Sequence, residues 1–201
     1  MDYIKAGELP FDPRPQMGAI FADGFYELGL KFICKDKAKL VKAMAHIFDL
    51  DCFYVAVQDE EIAALATCID GKKQAVHFDK KSFRKTMGFL HGSFAYLILN
   101  RFIMHHQYPF VFEPEMGAIE FVAAAPAHRG KGVAGKLIEH MMANTPYAHY
   151  ILEVADTNAP AIRLYTRLGF AEFMRTPAPK RSGFNHFIYM RISPKQCLKI
   201  H

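Results

Sequence analysis

One stretch, Arg129-Gly130-Lys131-Gly132-Val133-Ala134-Gly135-Lys136, constrains this chain more than any other. It lies between an apolar run that reads as a strand (residues 118–125) and an amphipathic run that reads as a helix (residues 132–143). A strand, a glycine-rich turn and a helix N-terminus in that order make an anion site. Exposed backbone N–H groups converge there and the helix dipole favours negative charge.

The rest of the pattern is α/β. Residues 53–57 and 62–69, parted by Gln58-Asp59-Glu60-Glu61, read as a β-hairpin. Strands follow at residues 149–154, 170–175 and 184–192, with a helix over 158–167. Upstream, apolar residues recur at helical spacing over 16–32, and Asp36 suits the N-cap of a second helix. Pro10, Pro13 and Pro15 allow an extended lead-in at most. The expected architecture is a mixed central sheet flanked by helices, since strand runs adjacent in sequence near each terminus pair antiparallel.

Composition sets outer bounds. With 201 residues, 51% apolar and 22% charged, the chain suits one domain with a full core. A net charge of +5 without a dense Lys/Arg block describes a solvated basic surface rather than a nucleic-acid platform. The first residues lack the layout of a signal peptide. Cys34, Cys52, Cys68 and Cys197 are scattered, with no Cys-x-x-Cys pair, which points to the cytoplasm and to no structural zinc. His91, His105 and His106 have no metal-ligand spacing. Residues 80–108 read as one long helix interrupted by Gly88 and Gly92. Its apolar part is too short to cross a bilayer comfortably, so it is expected to pack on the sheet or on a second subunit, which leaves a homodimer open.

Three phosphate-binding patterns overlap in the glycine stretch. Residues 130–136 satisfy Gly-x-x-x-x-Gly-Lys, but Leu137 stands where a P-loop needs the hydroxyl that holds Mg²⁺. Gly130, Gly132 and Gly135 fit Gly-x-Gly-x-x-Gly, with Glu153 about 20 residues on. A dinucleotide turn follows its strand at once, however, and opens a run of βα units. Here Pro126-Ala127-His128-Arg129 intervenes and little chain follows.

The third pattern is Arg or Gln, two residues, Gly, one residue, then Gly or Ala, which Arg129 to Ala134 matches position by position. Downstream, residues 158–170 satisfy Asn-x-x-Ala-x-x-Leu-Tyr-x-x-x-Gly-Phe at every defined position. In these two motifs, their order and their separation, the chain resembles the GNAT acetyltransferase superfamily over residues 53–192. The resemblance leaves 1–52 as an N-terminal helical part and 193–201 as a tail of a single domain.

The resemblance implies acetyl-CoA as co-substrate, no metal, and the amine of a small molecule or peptide as acceptor. It implies cofactor contacts from Arg129, Gly130, Lys131, Gly132, Val133, Ala134 and Gly135. Val122, Ala123 and Ala124 would offer backbone to the pantetheine arm, with Asn158, Ala161 and Tyr165 nearby. Tyr165 matches the tyrosine that protonates the leaving thiolate. Glu120 lies close to the family's usual catalytic carboxylate, with Glu153 as the other candidate base. Glu120 could instead be a solvent-facing strand residue, or a partner of Arg101 or Arg163. The acceptor pocket would draw on residues 25–32, 94–110 and 175–185, rich in aromatics. A non-catalytic acyl-CoA-binding domain is the alternative reading.

Overall fold

The computed structural model describes residues 1–104, 107–180 and 182–193. Seven strands form one sheet in the order β1-β2-β3-β4-β5-β7-β6. β2 (Phe53–Gln58) and β3 (Glu61–Ile69) are the expected hairpin. Asp59 and Glu60 both take positive φ, +52° and +60°, as a two-residue turn with the twist of its strands requires. Nearly every residue of both strands is buried, so they read as continuous apolar runs rather than alternating ones.

β4 (Met116–Ala124) lies at the centre, antiparallel to β3 and parallel to β5 (His149–Ala155). β7 (His186–Ile192) follows β5 and carries β6 (Ala171–Pro177) on the edge. At the other edge is a strand the prolines of the lead-in did not suggest. β1 (Asp2–Lys5) pairs antiparallel with β2, so the N-terminal part is not purely helical.

Helices cover both faces. On one lie α1 (Arg14–Gly24), α2 (Lys31–Ile33), α3 (Lys37–Met44), α4 (Lys80–Met87) and α5 (Phe89–Leu99), around Phe21, Leu40, Met44, Phe53 and Phe83. On the other, α6 (Val133–Asn144) and α7 (Ala159–Arg167) bury Leu137, Ile138, Met141 and Tyr165 against Tyr150, Leu152 and Met190. Asp36 does cap α3, accepting from the Lys39 N–H at 3.1 Å.

The segment expected as one long helix is two. Gly88, at φ +85°, turns the chain between α4 and α5, and α5 folds back on α4. Gly92 sits at their crossing, where a Cβ would strike the Phe83 carbonyl. A turn at positive φ explains Gly88 and close approach explains Gly92, with no need of helical continuity at either. Asn100–Met104 continue as a wider π-type turn. His105 and His106 lie outside the described residues, as does Cys197. Cys34, Cys52 and Cys68 are buried free thiols. Among the described residues, no helix is long and apolar enough to cross a membrane.

Candidate active site

The site begins with a defect in β4. Its parallel pairing with β5 runs only from Met116–His149 to Ile119–Leu152, although β4 continues to Ala124 and β5 to Ala155. The strands part at the residue before Glu120. At the same place the β3–β4 register shifts between Leu65 and Thr67, and Phe121 adopts φ +54°. A bulky residue at positive φ is strained and persists only where packing over-determines it. Here the Phe121 ring lies 5.6, 6.2 and 6.3 Å from those of Phe21, Phe25 and Phe53. Thr67, fully buried, donates its hydroxyl to the Glu120 carbonyl at 3.3 Å. The bulge re-aims β4, whose ladder with β5 ends at Ile119.

A cleft of about 1040 Å³ opens where the strands diverge, and Glu120, Val122, Glu153, Asn158 and Tyr165 all line it. The Glu120 carboxylate accepts a 2.5 Å hydrogen bond from the Tyr108 hydroxyl. Burial, then the charges of Glu120 and Glu153, push the Tyr108 phenol far above its ordinary range, so it remains a donor. Burial likewise raises Tyr189, which bonds to Glu153. Cys68, behind Glu120 on β3, is pushed up to about 12, by burial first, and stays a thiol. Tyr165, on α7, is buried with its ring 6.2 Å from Phe170, and burial alone raises its phenol. Asn158 caps α7, its side chain accepting from the Ala161 N–H at 3.3 Å.

The glycine loop follows β4. Pro126–His128 form a 3-10 turn, and Gly130 and Gly132 take φ of +75° and +77°. A Cβ at either glycine would meet nothing within 4 Å. No side chain caps α6, whose first internal bond from the cap runs from the Lys136 N–H to the Gly132 carbonyl. The loop therefore offers open backbone at a helix N-terminus, a shape and polarity that fit a pyrophosphate.

A sequence profile described as Acetyltransferase (GNAT) family matches residues 26–170. The chain belongs to the GNAT acetyltransferase family. Streptothricin acetyltransferase of Streptomyces lavendulae is 45% identical over 56 residues, which are 26% of this chain. That match spans only 30% of the relative's own length. An N-acetyltransferase structure from Staphylococcus aureus Mu50 superposes with a TM-score of 0.64 at 16% identity, covering 96% of this chain and 100% of the other. PH1933 from Pyrococcus horikoshii OT3 gives 0.56 at 17% identity, over 96% and 97%. Both likenesses concern the fold.

In this GNAT chain the residues expected at the site divide into two groups. Glu120, Val122, Asn158 and Tyr165 converge on the cleft, whereas Arg129 to Gly135 form the loop beyond it. Ala123 is buried on the opposite face, where a Cβ on Gly24 of α1 would stand 3.1 Å from its own. Val133 is buried, and Gly135 is a packing position: its Cβ would come within 3.2 Å of Leu164 on α7. The Arg129 side chain turns back to α1, its guanidinium bonded to Asp23 and its Nε donating to the Ala124 carbonyl at 3.2 Å. Lys131 is exposed.

Two contacts were not readable in advance. Tyr108 donates its hydroxyl to the Glu120 carboxylate. Nothing about a tyrosine preceding Pro109 marks it for that role. Asp23 is one acid within an amphipathic run, with no sign that it meets a loop 106 residues away. Among the described residues, no group of three or more His, Cys, Asp or Glu side chains is arranged to hold a metal.

Proposed function

We propose that this chain transfers the acetyl group of acetyl-CoA to a primary amine by direct attack on the thioester. The single observation that carries the proposal is that Glu120 and Tyr165 line one cleft at the point where β4 and β5 part. The loop N–H groups from Gly130 to Gly135 bind pyrophosphate, and the backbone of Val122 to Ala124 takes the pantetheine amides as an added strand would. Bound there, acetyl-CoA supplies the activated acyl group.

A primary ammonium has a pKa near 10, so most of it is unreactive at neutral pH. Glu120 takes that proton, directly or through a water, and the nitrogen lone pair then forms the C–N bond. The C–S bond breaks as negative charge gathers on sulfur. Tyr165, kept protonated by its burial, gives its proton to that charge as the thiol leaves, and the second proton lost from the acylated nitrogen restores the phenol through water. Three buried free thiols accord with a reducing compartment, and we place the protein in the cytoplasm.

The test is release of free thiol from acetyl-CoA across a panel of amines, with streptothricin among them because of the similar protein's name. Glu120→Gln is expected to lower kcat by about 10²–10⁴-fold. Tyr165→Phe should lower it by a smaller factor, and acetyl-CoA should bind both variants normally. Unchanged turnover in both, or no acetyl-CoA binding by the wild type, would sink the reading.

A further inference from the structure

We infer that the acceptor is an amine with a single ammonium group on a bulky apolar body, of the arylalkyl or long-alkyl class, and that Phe32 and Phe94 select it. The inference rests on the acetyl-transfer reading above and concerns the other end of the same cleft.

The first argument is charge. Among the described residues lining the cleft, the acids are Glu120 and Glu153, on the two strands that diverge at its floor. Both raise the Tyr108 phenol, so their fields overlap at one place. The reacting ammonium is drawn to that place, where Glu120 takes its proton in the reading above. The remaining charged side chains on the described lining are lysines: Lys72, Lys73 and Lys180. Lys73 is partly neutralised by Asp49 at 3.6 Å, whereas Lys72 and Lys180 have no described carboxylate within salt-bridge reach. A second or third ammonium, spaced along a polycation, would meet positive charge where the first met negative.

The second argument is surface. The walls of the cleft are largely aromatic, including Phe25, Tyr108, Phe110, Phe112 and Phe187. Tyr108, Phe110 and Tyr189 interlock with centroids 5.4–6.4 Å apart, which makes the wall stiff. At the mouth, Leu28, Phe32 and Phe94 line the cleft while remaining 39%, 69% and 53% exposed. Large apolar side chains left in water beside a reactive cleft gain by being covered. An apolar body attached to the ammonium at the floor covers them, and a hydrated polyamine chain does not. Phe32 follows the π-type turn Tyr26–Leu30, and Phe94 stands on α5, so α5's separation from α4 at Gly88 is what brings the two aromatics to one mouth.

The experiment compares kcat/KM for phenethylamine and hexylamine with that for spermidine and for methylamine, at saturating acetyl-CoA. Phenethylamine and hexylamine should exceed both others by at least tenfold. Phe94→Ser and, separately, Phe32→Ser should each raise KM for phenethylamine about tenfold, leaving its kcat and the KM for acetyl-CoA unchanged. The second variant guards against misfolding of the first, since Phe32 is the more exposed side chain. Spermidine or methylamine turned over as well as phenethylamine would overturn the inference while leaving acetyl transfer standing. So would an unchanged phenethylamine KM in both variants. No thiol release with any amine would instead overturn the acetyl-transfer reading beneath it.

Discussion

On the side of the cleft between β4 and α7, the working surface is backbone. β4 stops pairing with β5 after Ile119, Gly130 and Gly132 hold positive φ over open space, and α6 starts without a side-chain cap. On the side between α1 and α5, the working surface is side chains: Phe32 and Phe94 on short helices set apart by Gly29 and Gly88, Phe25 at the end of α1, and Tyr108 in the segment that leads to β4. Glycine appears on both sides for opposite reasons. At Gly132 it gives a left-handed turn with nothing nearby, and at Gly92 it lets two helices touch. Backbone recognition suits a ligand that never varies, and side-chain walls can be exchanged without disturbing the sheet.

Substitutions on the two sides should therefore fail differently. The largest effect is expected from Gly92→Leu, because the obstacle is the Phe83 backbone, which has no rotamer to yield. A loss of about 3 kcal/mol in folding stability should appear in the denaturant midpoint. A loss well under 1 kcal/mol would mean that α4 and α5 do not cross at this glycine. Next is Gly132→Val, which has room for its side chain but forces a β-branched residue to φ +77°. The strain is about 1–2 kcal/mol. The diagnostic reading is calorimetric: the Kd for acetyl-CoA should rise about tenfold, roughly 1.4 kcal/mol. A binding constant that did not move would remove the loop from the cofactor side of the comparison.

The smallest effect probes the tie between the sides. Asp23, at the end of α1, bonds Lys37 of α3 and the loop residue Arg129. These bonds, Lys37's first, hold its carboxyl below the usual range. A depressed folded pKa stabilises above the unfolded value, about 3.9, and that stability is lost as pH falls through the folded value. Asp23→Asn should thus lower stability by about 0.2–1 kcal/mol at pH 7. The Tm difference between variant and wild type should shrink as the pH is taken below 4. A difference that stayed constant with pH would show that Asp23 acts through something other than its charge.

How much was legible follows the same division. The Arg129–Ala134 and Asn158–Phe170 motifs could be read because a turn at positive φ and an N-capped helix demand particular residues at particular spacing. The hairpin over residues 53–69 was legible for a similar reason, since two apolar runs flanked a polar turn. The break at Gly88 was not, because an isolated glycine in an apolar helical pattern is compatible with continuation. β1 was hidden by the prolines that follow it, and its place depends on an edge of β2 that local sequence does not announce. Phe121 gave no sign of its positive φ, since phenylalanine in a strand is ordinary.

The α/β alternation and the glycine loop with its helix were present in the sequence as short-range backbone patterns, and the family was legible there through the resemblance of two motifs. Only the tertiary structure decided that Tyr108 meets Glu120, that Arg129 turns to Asp23, and that Phe32 and Phe94 share one mouth. Those pairings join residues from separate elements, and their energy is gained only when the sheet, its bulge and the folded-back helices have set the distances.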